Sequence, residues 1–378
     1  MATSPRLLQI FLSSSLISVF STAAAACATP GCQLLSPCSG AEECAPGLYC
    51  GTCPASGKTR PSCTRGQATH STDINGVRGL MLDMYDFEGD IWLCHSFQGQ
   101  CYNFTAFEPA FNTLKEVEAF LTDSPTEIIT IFIEDYVRAP KGLSRLFANA
   151  DLMKYLYPLT EMPANGKDWP TITEMVEKNY RLLVFTSVAS KEADEGIAYQ
   201  WRYVLENEPG DPGIVPGSCP NRRESEPLNS RYASLFLQNY FTTIPVQNDA
   251  CNEHSSGLTE MVNVCYKAAE KLMPNFLAVN FYMRSDGRGV FDILDRMNGL
   301  TLCGCPTVFA CKPGGPFGVC KNISSSSTPD RPGHHGGTYA GYVEFSGSLL
   351  RTKCLCILER NLFYSLLISI LSLLAIII

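Results

Sequence analysis

Six short apolar runs recur in the middle of this chain: LMLDMY, IWLCHS, IITIFIED, RLLVFTS, LFLQNYF and FLAVNFY, all between residues 80 and 282. Their length and their content of β-branched and aromatic residues suit strands. Helical periodicity lies between them. One candidate covers roughly 108–122, with Phe111, Leu114, Val117 and Leu121 on one face. Another covers roughly 257–272, with Leu258, Met261, Val262, Cys265 and Ala269 on one face. Strands that alternate with helices predict parallel pairing, because a parallel connection needs a crossover. Continuous rather than alternating apolar strands fit burial on both faces. The expected fold is α/β, a distorted TIM-type (β/α) barrel. A doubly wound sheet is the alternative, but no Gly-rich phosphate loop follows any of the runs to support it.

Five of these runs carry one polar residue near the end. Asp83 lies in LMLDMY, His95 in IWLCHS, Glu134 in IITIFIED, Asn239 in LFLQNYF and Asn280 in FLAVNFY. A lone acid at a strand end is more often a cap for the next helix. Five together point to one rim of a barrel, where strand ends converge and sites are built.

Both termini read as processing signals. Arg6, the apolar stretch LLQIFLSSSLISVF and the small residues before Cys27 form a secretory signal peptide over 1–26. The chain ends in NLFYSLLISILSLLAIII with no charge after it. Upstream stands Ser346-Gly347-Ser348, so 349–378 is expected to be a GPI-attachment propeptide, with Ser346 the attachment residue. A spanning tail helix is the alternative. The formal charge is −8, and both ends are net basic, so the processed part is more acidic still. That excludes nucleic acid as a partner and adsorption to anionic lipid by charge alone. The membrane is expected to be met through the GPI anchor, at the outer face of the plasma membrane.

Of 18 cysteines, Cys354 and Cys356 fall in the expected propeptide. The other sixteen are an even number, which in a secreted chain predicts disulfides. Seven lie in the Cys-rich segment 27–66, too polar for an apolar core of its own. Seven is odd, so either one bond reaches into the body or one thiol stays free. The body, 67–300, carries the strand-like runs, and 301–348 reads as a disulfide-pinned flap and stalk. Asn103-Phe104-Thr105 and Asn322-Ile323-Ser324 are glycosylation sequons.

Asn75-Gly76-Val77-Arg78, Leu82-Asp83, His95 and Ile133-Glu134 together resemble the X domain of phosphatidylinositol-specific phospholipase C. WRYVLENEPGD, GSCPNRRES and AVNFYMRSDG resemble its plant-type, GPI-anchored branch. The resemblance implies phosphodiester chemistry on a phosphoinositide, a glycosylated inositol lipid or another phosphodiester. That chemistry needs a base for the attacking hydroxyl, an acid for the departing alkoxide and a cation for the phosphoryl oxygens. By resemblance His95 is the acid, and Asp83 and Glu134 are carboxylate ligands of a calcium ion. Arg78, Asn239 and Asn280 are expected to contact substrate. The family's cation is either calcium or an arginine.

Three residues or segments depart from the family pattern. Met81 stands where calcium-dependent relatives have a glutamate. Asn280 stands where many relatives have an aspartate. The family's first histidine sits in a Thr-His-Asn motif some two dozen or more residues before the Gly-x-Arg segment. Here Thr69-His70-Ser71 lies immediately before Gly76, too close for a strand and its crossover helix. His70 is therefore only a candidate base, and the chain reads as a family member with its first strand and helix deleted. The rival expectations are a non-catalytic surface binding protein and a glycerophosphodiesterase-like enzyme.

Overall fold

The computed structural model describes residue 27 and residues 31–66, 77–96, 99–254, 256–300, 302–305, 310–312 and 314–321. The expected signal peptide and propeptide, His70, Asn322 and Ser346 lie outside the described residues. No helix among the described residues is long and apolar enough to cross a membrane.

The chain opens with an antiparallel hairpin, β1 (Leu48–Cys53) and β2 (Lys58–Arg65). Then come β3 (Gly79–Phe87), β4 (Asp90–Cys94), β5 (Ala106–Pro109), α1 (Ala110–Asp123), β6 (Ile129–Tyr136), α2 (Gly142–Asn149), α3 (Ile172–Glu177) and β7 (Leu182–Thr186). The rest comprises α4 (Ser190–Glu195), β8 (Ala198–Tyr199), α5 (Gln200–Tyr203), β9 (Val204–Glu206), β10 (Leu235–Asn239), α6 (Gln247–Glu253), α7 (Ser256–Ala268), β11 (Phe276–Ala278) and α8 (Gly289–Met297).

The body is mixed α/β around mostly parallel strands. One sheet has the order β5-β4-β3-β6-β7-β8, parallel from β3 to β8. A second has the order β11-β10-β9, all parallel. The two sheets share one core. Phe132 and Phe185 from the first, and Val204, Leu235, Leu237 and Phe276 from the second, belong to a single apolar cluster. Because strand side chains alternate, the opposite faces pack elsewhere. Ile129, Ile131, Ile133 and Val184 meet Leu114, Val117, Phe120 and Leu121 of α1, while Leu205 and Phe236 meet α7 and α8. Burial on both faces explains the uninterrupted apolar runs.

Parallel pairing does not hold for IWLCHS. β3 and β4 are an antiparallel hairpin, with Met84 opposite Leu93 and Phe87 opposite Asp90. Glu88 and Gly89 both have positive φ, 50° and 79°, the paired left-handed conformation that a two-residue turn requires. The overlooked signal is Glu88-Gly89-Asp90 between two apolar runs. On α1, Phe111 is exposed rather than on the buried face.

Two strand edges stay unmatched. Among the described residues, Gly79–Asp83 pair only with β6, since β4 reaches no further than Met84. β11 pairs only with β10. These edges lie side by side: a Cβ on Gly79 would sit 3.6 Å from the Phe276 ring.

Sixteen cysteines form eight disulfides. Cys53 of the Cys-rich segment bonds Cys251, which settles the odd count: one bond reaches the body. Tyr49 Oη donates to the Met283 carbonyl at 2.6 Å, and the fully buried Arg65 pairs with Asp295 and Asp292 of α8.

Candidate functional site

Asp83 and Glu134 are register partners on the parallel neighbours β3 and β6. Both line a cleft together with Met81, Phe132, Ile133, Ser187, Gln200, Trp201, Glu206 and Arg222. The cleft collects residues from the inner face of β3 and β6, the residue after β7, the α5–β9 segment and a loop beyond β9.

Each acid interrupts an otherwise apolar strand, but only Asp83 is withdrawn from solvent. Burial, then the Glu134 charge, push the Asp83 carboxyl up to about 8. Glu134 is exposed and accepts a hydrogen bond from the Tyr136 hydroxyl. Tyr136 stacks on Tyr85, with ring centroids 4.3 Å apart. Burial and the bond to Glu134 raise the Tyr136 phenol, and burial raises that of Tyr85.

Across the cleft lies a carboxylate that strand-end reasoning missed. Glu206 is fully buried at the end of β9. It accepts from Asn239 Nδ2 at 2.8 Å, Arg222 Nη1 at 3.1 Å, Gln200 Nε2 at 2.8 Å and Trp201 Nε1 at 2.7 Å. Burial raises its pKa, and the Arg222 charge and these donors oppose that rise. Arg222 stacks over the Trp201 ring at 4.9 Å and donates from Nε to Glu224 at 3.2 Å. Burial works against its charge, but Glu206 and Glu224 together outweigh this and Arg222 stays above the usual arginine value. The signal was present in the sequence: WRYVLENEPGD and GSCPNRRES, which follow one another closely along the chain, are the two segments that meet here.

The other expected site residues divide. His95 is exposed, one residue beyond β4, and is not among the residues lining the cleft. The hairpin brings it back towards the level of Asp83, and the Cys94–Cys101 disulfide closes the loop it begins. Asn239 backs the cleft through Glu206. Asn280 is half-buried two residues beyond β11, outside the lining. Arg78 does not take the substrate-contacting place expected of it. It precedes β3, at the opposite end of the strand from Tyr85, is buried, and donates to Glu127 at 3.1 Å with its guanidinium over Phe120. It holds the sheet's lower end and does not contact the cleft. His254 caps the end of α6. Asn103 is exposed in the turn after Cys101, as a glycan acceptor must be.

The donor set does not fit calcium, which takes six to eight oxygen ligands. The cleft offers two strand-borne carboxylates beside a thioether, Met81, and a fixed cation, Arg222. Among the described residues, the close groups of three ligand-type side chains are disulfide sulfurs, around Cys38 and around Cys303.

The PI-PLC X family model matches residues 59–294. A PI-PLC X domain-containing protein of Arabidopsis thaliana is 56% identical over 375 positions, covering 86% of this chain and 88% of that one. An uncharacterized secreted protein of Arthroderma benhamiae is 27% identical over 255 positions, covering 62% of this chain and 56% of its own length. No solved structure matches. In the Arabidopsis alignment, 86% of 378 residues is about 325, so about fifty of its 375 positions have no counterpart here.

Proposed function

The chain belongs to the PI-PLC X domain family, and from that premise we propose that it is a phospholipase C-like phosphodiesterase of the cell surface whose activity is lowered by loss of the family's first strand. The observation that carries the reading is one cleft, inside the matched residues, holding Asp83 and Glu134 opposite Arg222. Secretion and a GPI anchor at Ser346 would place this cleft outside the plasma membrane. The substrate class is an inositol phospholipid, a glycosylated inositol lipid or a related phosphodiester.

In this reading the two sheets are arcs of one barrel. On this reading the strand that the chain lacks belongs between the unmatched edges of β3 and β11, which have closed together at Gly79 and Phe276. The region between Arg65 and Val77 is where the first strand and its helix would be threaded, and a deletion there would account for the missing alignment positions.

The chemistry needs no calcium. An internal hydroxyl of the substrate attacks phosphorus, the new P–O bond forms, and the bond to the leaving alcohol breaks. His95 gives its proton to that alcohol. Arg222 takes the cation's role at the phosphoryl oxygens, where a preformed charge stabilises the transition state best. Asp83 and Glu134 accept hydrogen bonds from substrate hydroxyls. The proton of the attacking hydroxyl passes to water, a poor base, because the family's first histidine belongs to the missing strand.

The test is an insertion. Placing a family-type Thr-His-Asn strand and helix before Asp73 should raise hydrolysis of phosphatidylinositol by at least about a hundredfold. His95→Ala in that restored form should remove most of the gain. Brisk hydrolysis by the original chain, abolished by His70→Ala, would make His70 the base and refute the deletion argument. A non-catalytic binding role is the second reading, favoured by the same missing positions; an inert restored chain that still binds inositol-lipid vesicles would support it.

A further inference from the structure

Glu206 accepts four side-chain hydrogen bonds and has no exposed surface. Its oxygens are occupied by protein donors, so it has little capacity left for a substrate proton. Desolvating a carboxylate costs several kcal/mol, yet three of its four partners, Gln200, Trp201 and Arg222, line the cleft. The best-held of these is Arg222. Glu206 takes Nη1, Glu224 takes Nε, and the Trp201 ring lies beneath the guanidinium. Nη2 has no hydrogen bond or ion pair among the described residues. The backbone is clamped as well: Arg222 N donates to the Glu206 carbonyl at 3.0 Å, and Glu206 N donates to Ser225 Oγ at 2.9 Å. The Cys219–Cys265 disulfide ties the loop to α7.

We propose that Glu206 is the positioning residue of an anion subsite: it fixes Arg222 so that the unengaged edge of the guanidinium meets the oxygens of a phosphate ester. The identity of the ligand rests on the phosphodiesterase reading; the coupling between the two residues does not. An arginine held on three sides loses little freedom on binding, and its planar edge suits two phosphate oxygens. Glu206 never touches the ligand. It acts through Arg222, and Trp201 and Asn239 hold it in turn.

The experiment is a double-mutant cycle on the full chain. Inorganic phosphate, then phosphatidylcholine vesicles with and without phosphatidylinositol, are titrated into wild type, Arg222→Ala, Glu206→Gln and the double variant. Arg222→Ala should weaken binding about tenfold or more, as loss of a charge-assisted bond does. Glu206→Gln should cost nearly as much, since an amide turns a donor towards two donors. The double variant should be no worse than Arg222→Ala, a non-additivity that a merely structural role would not produce. Arg222-dependent binding of phosphate alone assigns free phosphate esters, and binding only of phosphatidylinositol vesicles assigns a lipid headgroup; either supports the subsite. Additive losses, an unaffected Glu206→Gln, or a wild type that binds neither probe would overturn it. If Glu206→Gln fails to fold, Trp201→Phe removes one donor to Glu206 and keeps the ring. It should weaken binding about threefold with the fold intact, and wild-type binding by that variant would overturn the proposal. Coupling without phosphodiesterase activity would sink the functional reading and leave the positioning role standing.

Discussion

Asp83 and Glu134 stand opposite each other as partners on adjacent parallel strands, and their carboxyls line one cleft. Two acids so placed repel, and the half-buried one yields: the Asp83 carboxyl is pushed up to about 8 by burial and by Glu134. Its folded pKa lies above its unfolded one, so the folded state binds more protons between about pH 4 and 8. Stability on this account is greatest below about pH 4 and is lost as pH rises through about 8. Asp83→Asn should therefore stabilise the protein at about pH 7 to 8 and change little at about pH 4. The gain should reach a few kcal/mol, because each tenfold change in proton affinity is worth about 1.4 kcal/mol. Urea midpoints of both chains across that range check it; an equal gap at every pH would contradict it.

The Cys53–Cys251 bond spans 198 residues and is the covalent link between the Cys-rich hairpin and α6. Replacing both with serine should cost about 2–5 kcal/mol. The Arg65 ion pairs with Asp295 and Asp292 remain and should keep the hairpin docked, though less firmly. Hydrogen exchange in Leu48–Arg65 should rise well above that in β6. Unchanged exchange in the double variant would mean that Arg65 and Tyr49 suffice as anchors.

How far the site was legible depended on where each residue's partners lie. Asp83 and Glu134 could be read because a lone acid in a buried run is conspicuous and parallel register brings such acids together. Arg78 could not: nothing local says which end of a strand meets the cleft, and its partner Glu127 is 49 residues away. β9 was missed because Val204–Glu206 is only three residues long. Arg222 sits in a loop whose position is set by Glu206, 16 residues before it, and by the disulfide from Cys219 to Cys265, 46 residues on. The parallel core followed from strand–helix alternation, whereas the β3–β4 hairpin depended on two turn residues. The odd cysteine count left a bond to the body or a free thiol open, and only packing could choose between them and select Cys251.

His254 is fully buried at the end of α6, where Nδ1 meets the Arg284 carbonyl at 2.8 Å and Nε2 has no hydrogen-bond partner among the described residues. Burial pulls its pKa down to about 4, only partly offset by that bond. The unfolded chain then binds the extra proton between about pH 6.5 and 4. The stability held above about pH 6.5 falls as pH drops through about 4, by about 3 kcal/mol in all, and levels off below. His254→Gln should flatten this part of the stability profile in thermal melts between about pH 7 and 4. A variant with the same acid limb as the wild type would show that another group titrates there.

The unmatched edges of β3 and β11 should be visible in hydrogen exchange. Backbone groups of Gly79–Asp83 that point away from β6 have no ladder partner among the described residues, whereas β6 is paired on both sides, by β3 and β7. Opening is easiest where backbone hydrogen bonds are fewest. Alternate amides within Leu80–Asp83, and those on the outer edge of Phe276–Ala278, should exchange at least about tenfold faster than amides in Ile131–Ile133. Inserting a family-type first strand before Asp73 should part the two edges and slow both sets together, because one new strand would pair with both. Slowing at β3 alone would place the strand at an open edge and leave the barrel unclosed. Equal protection in the original chain, before any insertion, would mean that the edges are already paired and that the missing positions belong elsewhere in the fold.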